Sequence, residues 1–139
     1  MAAVNYFTED ISYKITNPRK TAAWIKRVAL SEKKQIDQLN FIFCSDDYLL
    51  KINREYLNHN SYTDIITFPT NESPLVIAGD IFISVERVKE NAVAFDVDFT
   101  NELRRVIIHG VLHLIGFKDK SKDQKKEMRE KEDAYLSLW

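Results

Sequence analysis

The 139-residue chain has only one cysteine, three prolines and three glycines, and its net charge is close to zero. The lone Cys44 cannot form a disulfide within the chain, and its apolar neighbours predict a buried thiol. A formal net charge of −1 excludes the overall basic excess that drives non-specific binding to nucleic acid, so any such contact must be local. The chain also lacks a signal-peptide pattern at its start and any run of ~18 apolar residues that could span a membrane. We therefore expect a protein of the cytoplasm.

Hydrophobic residues make up 45% of the sequence, which is enough to build a core, and no proline- or glycine-rich linker interrupts them. We predict one domain over residues 1–139. Local patterns predict strands at Ala3–Phe7, Asp10–Lys14, Leu39–Cys44, Asp64–Phe68 and Gly79–Ser84. They predict helices that begin after the capping residues Asn17, Ser45, Ser84, Thr100 and Ser121. This order predicts an α+β fold, in which about five helices surround a small mixed sheet.

The predicted helix from Asn101 to Ile115 is apolar on nearly every face, which is typical of a central, buried helix. His109 and His113 interrupt it on one face. A buried imidazole needs a partner for each ring nitrogen, and two imidazoles one turn apart would repel each other if both were protonated. A metal ion satisfies both rings at once, because two histidines spaced by four residues on a helix point at a common position.

The residues that follow the histidine pair supply a third candidate ligand. Gly116 can end the helix in a left-handed conformation and return the chain toward the pair, and Asp119 comes three residues later. The spacing H-x-x-x-H-x-x-G-x-x-D matches the register of the metzincin zinc motif. However, Gly110 occupies the position of the general-base glutamate, and Asp119 occupies that of the third histidine. The pattern predicts a metal site at His109, His113 and Asp119 and argues against a protease.

Three ordered blocks resemble the YbeY family of bacterial metal-dependent endoribonucleases. HGVLHLIGF at 109–117 is similar to the family signature H-G-x-L-H-L-x-G-Y-D-H. TDIITFP at 63–69 and AGDIFIS at 78–84 are similar to two further blocks, and NREY at 53–56 fits the helix before them. The resemblance covers the chain from about Asn53 to its end. It implies a zincin-like fold in which the buried central helix carries the metal-binding histidines.

The resemblance also implies a function. The expected protein is a single-strand-directed endoribonuclease that uses one bound metal ion, with zinc as the first expectation, to hydrolyse RNA phosphodiester bonds. Its expected role is in 16S ribosomal RNA maturation and ribosome quality control. The implied partners are ribosomal RNA of the small subunit and ribosome-associated proteins, with no membrane involved.

The chain departs from the family at three positions. Lys118 and Asp119 stand where members commonly carry an acidic residue and a third histidine. With a divalent ion, the aspartate lowers the net charge of the site from about +2 to about +1, which favours harder ions and makes bound water less acidic. Leu57 stands where many members place an arginine linked to RNA binding or catalysis. Arg54 and His59 are candidates to supply part of that role, although a loop histidine is more often only solvated.

Other charged residues are weaker candidates. Asp64 and Asp80, each at the start of a strand in a family block, are candidate catalytic helpers, although such carboxylates often cap turns. Arg104 and Arg105, one turn before His109, are candidate phosphate ligands, although arginine on a helix surface is commonly just solvated. The final, highly charged helix is interpreted as a solvated amphipathic helix with four apolar anchors, at Met128, Tyr135, Leu136 and Leu138.

Three hypotheses remain open from the sequence. The first is the metal-dependent endoribonuclease, and the second is a non-catalytic ribosome-assembly or RNA-binding factor with a structural metal. An open coordination position separates them, because a closed four-ligand site cannot activate water. The third is a zincin-like protease or another hydrolase, and the glycine at position 110 counts against it.

Overall fold

The computed structural model describes residues 3–139 as four strands and five helices. The strands are β1 (Ala3–Thr8), β2 (Gln35–Cys44), β3 (Ile65–Pro69) and β4 (Val76–Ser84). The helices are α1 (Pro18–Ser31), α2 (Asp46–Leu57), α3 (Val85–Ala94), α4 (Phe99–Ile115) and α5 (Lys122–Leu136). The α+β fold with a small mixed sheet and five helices is therefore confirmed.

The sheet has the strand order β1-β2-β4-β3. Strands β1, β2 and β4 run parallel, and β3 pairs antiparallel with β4 at the sheet edge. Successive side chains of a strand point to opposite faces. One face packs with α1 and α4 in the main core, to which the strands contribute Leu39, Phe41, Phe43, Ile81 and Ile83. The opposite face carries Cys44 and Ile66, which pack with Leu49 and Ile52 of α2.

Helix α4 is the central helix, as predicted, and it is buried along most of its length. Gly110 allows α4 to lie close to the sheet, because a Cβ at this position would be 2.7 Å from Ile65 Cδ1 and 3.2 Å from Ile81 Cγ2. The helix ends at Gly116, whose φ of 125° is in the region that favours glycine. The predicted helix stop is confirmed, and the chain turns back after it.

Three predictions of local structure are wrong. Residues 10–14 form no strand, and Ile11 and Tyr13 pack on the main core from an irregular segment, which explains their alternating pattern. Asn17 has a φ of 53° and its side chain does not cap α1. Helix α4 begins at Phe99 after Asp98, before the predicted cap at Thr100. The caps at Ser45 and Ser84 and the capping box of Ser121 with Gln124 are confirmed.

Helix α5 is attached to α1 over a long sequence separation. The indole Nε1 of Trp24 donates to the Tyr135 carbonyl oxygen at 2.8 Å, and Lys131 Nζ lies 2.8 Å from Glu32 Oε2. Met128 and Tyr135 are buried as predicted, but Leu138 is 38% exposed and does not anchor the helix. Within residues 3–139, no helix is both long and apolar enough to cross a membrane.

Candidate metal centre

Three side chains converge at the C-terminal end of α4. The Nε2 atoms of His109 and His113 lie 3.0 Å apart. Asp119, in the loop after Gly116, places Oδ2 3.2 Å from the first of these nitrogens and 3.4 Å from the second. Within residues 3–139, this is the one group of three or more histidine, cysteine or acidic side chains close enough to share a metal ion.

The separations fit a common ion. Two ligand atoms that are each ~2.0–2.1 Å from a tetrahedral ion lie about 3.3 Å from one another. The three distances of 3.0, 3.2 and 3.4 Å lie close to this value. Two imidazole nitrogens and one carboxylate oxygen are ligands typical of zinc and of neighbouring divalent ions. The residues present can therefore hold a metal ion and leave a fourth position for another ligand.

Glu132 on α5 contacts His109 at Nδ1, the ring nitrogen that does not face the other two ligands. Its Oε2 lies 2.6 Å from His109 Nδ1, and its Oε1 accepts a hydrogen bond of 2.9 Å from Arg105 Nη1. A carboxylate at Nδ1 keeps that nitrogen protonated, so Nε2 presents its lone pair to the centre. Arg105 in turn is held by Asp133 at 2.8 Å. The orientation of His109 therefore depends on a chain of contacts that ends on α5.

Sequence patterns did not single out Glu132, although a signal was present. Met128, Glu132 and Tyr135 follow one another at helical spacing, and all three are buried. An acidic residue inside an apolar stripe needs a buried partner, because an unpaired carboxylate is costly to bury. That rule would have marked Glu132 as a residue with a specific contact.

The pKa values of the two histidines are shifted in opposite directions. Burial acts to lower the pKa of His109, but the hydrogen bond and charge of Glu132 outweigh it, so the pKa is raised. Burial and the nearby charge of His109 lower the pKa of His113, against the opposing effect of Asp119. His113 is thus the more readily neutral ligand. Because only an unprotonated imidazole nitrogen binds an ion, the raised pKa of His109 shifts ion binding toward higher pH.

Two open depressions meet at the centre. One, of about 380 Å³, lies among β3, α3, α4 and α5 and includes Asp64, Glu102, Arg105 and His109. The other, of about 460 Å³, is lined by the loop before β3 and by the ligand triad. Volumes of this order suit small-molecule and substrate sites. A ligand can therefore approach the centre from two sides.

The structure separates the two candidate aspartates. Asp64 lines both depressions, and burial raises its pKa, with His109 opposing the shift. Asp80 does not reach the centre. Its neighbour Ile81 lies against Gly110 of α4, so Asp80 points to the opposite face of the sheet, where it accepts a hydrogen bond of 3.0 Å from Asn40. The expectation that Asp80 assists the site is wrong for this geometric reason.

The four basic candidates also differ in their position relative to the ligand triad. Arg105 lines the first depression but binds Glu132 and Asp133. The guanidinium of Arg104 lies 4.1 Å from the ring centre of Trp139, away from the ligand triad. His59 and Leu57 line the second depression.

Arg54 is in neither depression. Its Nε donates to Asn60 Oδ1 at 2.6 Å, and so it stabilises the loop that carries His59. Of the four basic candidates, His59 and Arg105 therefore lie beside the centre, whereas Arg104 and Arg54 do not.

Together, the fold and the site define an α+β protein in which two histidines of the central helix and an aspartate of the following loop can hold a metal ion. The sequence model of the family described as Endoribonuclease YbeY matches residues 4–139. The chain belongs to this family.

Individual relatives agree over nearly the whole chain. The Endoribonuclease YbeY of Cytophaga hutchinsonii is 50% identical over 133 residues, which are 96% of this chain and 93% of that protein. The protein of the same name from Amoebophilus asiaticus is 47% identical and covers 97% of this chain and 92% of its own length. A solution structure of a Thermotoga maritima protein matches with a TM-score of 0.67 and 27% identity, covering 97% of this chain and 87% of that one.

Proposed function

We propose that the protein is a metal-dependent endoribonuclease whose ion, zinc, is held by His109, His113 and Asp119. The observation that carries this proposal is the mutual distance of the three ligand atoms, all within 3.4 Å, beside two open depressions. Three protein ligands with a free position are typical of catalytic zinc sites. The relatives named as endoribonucleases support the choice of RNA as substrate.

A zinc ion bound here would polarise a phosphoryl oxygen and lower the pKa of a water molecule. The protein supplies the remaining functions through its own side chains. Glu132 fixes the ring of His109 through Nδ1. Asp64 lies beside His109 in both depressions, and its raised pKa brings the carboxyl closer to the range in which it can accept and return a proton. We assign to Asp64 the role of general base.

The proposed substrate is single-stranded RNA, specifically 16S ribosomal RNA during maturation and quality control of the small subunit, with ribosome-associated proteins as further partners. The support for this finer assignment is the resemblance of the three sequence blocks. Leu57 stands at the position where many family members carry an arginine. His59 lines the second depression together with the triad, so it is a candidate to take over the role of that arginine. The cytoplasm is the proposed location, consistent with the single free Cys44.

The two other hypotheses fit less well. A purely structural metal in an assembly factor would favour a closed ligand shell, whereas the triad borders two depressions. A protease of the metzincin type needs a base at position 110. In this fold that position faces Ile65 and Ile81 of the sheet, so it has no access to the centre.

The test is the metal content and RNA cleavage of the wild type beside His113→Ala and Asp119→Ala. The matched control is Asp123→Ala, which removes an exposed acid on α5. We expect about one ion per chain in the wild type and control, and loss of ion and of cleavage in the two ligand variants. If Asp119→Ala keeps its ion, the third ligand is wrong. If the wild type holds metal but does not cut RNA, the endoribonuclease proposal is wrong and the assembly-factor hypothesis is favoured.

A fourth variant, Asp64→Asn, separates ligation from proton transfer. It should retain the ion and lose about 10²- to 10⁴-fold in cleavage rate, the usual contribution of a general base. Cleavage at the wild-type rate would exclude Asp64 from the mechanism.

A further inference from the structure

A third depression continues the first one away from the metal centre. Phe95, Glu102, Arg105 and Arg129 line both, so the two form one continuous surface between the α3–α4 turn and α5. We call this surface the α5 groove and define it by Phe95, Val97, Glu102, Lys125 and Arg129. Its inner end is at His109 and Asp119, and its outer end is at Val97 and Leu136.

The rim and the floor of the α5 groove differ in chemistry. At the rim, Phe95 is 63% exposed and Val97 is 44% exposed, and both Lys125 and Arg129 are exposed. On the floor, Glu102 is only 6% exposed. A long ligand on the rim would therefore meet an aromatic ring, an apolar side chain and two cations before it met the acid.

The two cations on the rim can contact a negatively charged ligand. Across residues 3–139, the ion pairs within 4.0 Å include neither Lys125 nor Arg129. Arg105, by contrast, is committed to Glu132 and Asp133. Lys125 and Arg129 are four residues apart on α5, so their side chains lie on the same side of the helix. They can therefore contact neighbouring negative groups of one ligand.

The backbone of Phe95 is held in place, whereas its side chain is exposed. Its backbone N–H donates to the Asn91 carbonyl at 2.9 Å, and Val97 N–H donates to the Ala92 carbonyl at 3.0 Å. The turn is closed by Asp96 with a φ of 54°. Because this backbone is already ordered, only the side-chain torsions of Phe95 lose freedom when a flat group stacks on the ring. Exposed aromatic rings beside cations are a common platform for unpaired bases.

We infer that the α5 groove binds the single-stranded RNA segment next to the cleaved phosphate, with a base stacked on Phe95 and phosphates contacted by Lys125 and Arg129. This inference rests on the proposed function and adds the path of the substrate. Single-stranded RNA exposes base faces for stacking, whereas a duplex keeps them inside. The groove therefore selects for unpaired RNA on the α5 side of the centre.

The test is the affinity of the full-length, metal-loaded protein for a fluorescent 12-nucleotide single-stranded RNA, measured by anisotropy, with intact RNA verified on a gel. Phe95→Ala should weaken binding by at least about fivefold, since stacking on one aromatic ring contributes that much. Phe95→Trp should restore it. The matched control is Leu30→Ala, which truncates a similarly exposed apolar residue on α1. On an abasic RNA of the same length, Phe95→Ala and wild type should bind equally.

Arg129→Gln tests the phosphate contact independently. It should weaken binding and lower the dependence of log affinity on log salt by about 0.7, the value for one phosphate contact on a single strand. Arg27→Gln, an exposed arginine on α1, is the control and should change neither quantity.

The outcomes show separately whether the proposed RNA path and the proposed endoribonuclease function are correct. If wild type cleaves RNA but Phe95→Ala and Arg129→Gln bind it as tightly as wild type does, the α5 groove is not the RNA path and the proposed function stands. Equal weakening on abasic and normal RNA would also refute stacking on Phe95. If wild type binds the RNA with the expected losses in both variants but never cleaves it, the groove is correct and the endoribonuclease proposal fails.

Discussion

The carboxylate of Glu132 lies 2.6 Å from Nδ1 of His109, although the two residues are 23 positions apart and belong to different helices. This contact ties the most charged helix of the protein to a candidate metal ligand. It also explains why a buried acid is tolerated in α5, since Glu132 is satisfied by His109 on one oxygen and by Arg105 on the other.

Replacing Glu132 by Gln should weaken metal binding. In the wild type, the negative charge of Glu132 keeps Nδ1 of His109 protonated and raises the pKa of the ring. The amide lacks this charge, so the ring is less firmly oriented. Loss of such a supporting contact typically costs about 10- to 100-fold in metal affinity. Competition with a chelator measures the change, and Glu130→Gln, an exposed acid on the same helix, is the control. Equal affinities of the two variants would contradict the role of Glu132.

Gly79→Ala should destabilise the protein. A Cβ at position 79 would be 2.6 Å from the Phe68 carbonyl oxygen and 3.2 Å from Pro69 Cα, and both are backbone atoms of β3 that cannot rotate away. Overpacking of this kind costs about 1–3 kcal/mol in the free energy of unfolding, measured by urea titration. Gly110→Ala is the matched comparison and should cost less, because its closest contact is the end of the Ile65 side chain. A larger loss at position 110 would show that the side chains of Ile65 and Ile81 yield less readily than the β3 backbone beside Gly79.

Glu102→Gln should change how stability depends on pH. Burial, and then the charge of Asp64, raise the pKa of Glu102 above its ordinary value of 4.5. The folded state therefore binds this proton more tightly than the unfolded state, and the free energy of unfolding falls as the pH rises from about 4.5 through the higher folded value.

Glutamine removes this dependence. The difference in stability between the variant and the wild type should therefore be more favourable to the variant at pH 7 than at pH 4. Urea midpoints at the two pH values measure this difference. Glu127→Gln, an exposed acid, should show no such difference. A variant that loses equal stability at both pH values would mean that Glu102 acts through its shape and not through its charge.

Cys44 should be unreactive in the folded protein. The residue is fully buried, its Sγ lies 3.5 Å from the Ile83 carbonyl oxygen, and burial raises the pKa of the thiol to about 12. Only the thiolate reacts readily with disulfide reagents. A colorimetric thiol assay at pH 8 should detect no group before unfolding and one group per chain in urea. Rapid reaction of the native protein would show that the α2 side of the sheet opens.

The ligand triad was accessible to sequence reasoning because it is almost entirely local. The i, i+4 spacing of the histidines, the helix stop at Gly116 and the short return to Asp119 all lie within a dozen residues, so local rules suffice to bring the three atoms together. The strand order and the attachment of α5 are not local, and neither could be derived from a single sequence.

The errors at Asp80 and Glu132 have different physical origins. For Asp80, the alternation along β4 was visible, since Ile81 and Ile83 occupy the buried face and Asp80 must occupy the other. For Glu132, burial follows from the position of α5 against α4, which depends on distant contacts such as that between Trp24 and Tyr135.

The long-range attachment of α5 has a consequence for the order of events during folding. The two histidines are brought together as soon as α4 forms, whereas Glu132 reaches His109 only when α5 docks. The contacts that dock α5 join residues separated by 99 and by 111 positions in the sequence. Contacts of such separation form late, since the intervening chain must first be ordered. A nascent or partly unfolded chain should therefore capture ions weakly, and native metal affinity marks completed folding.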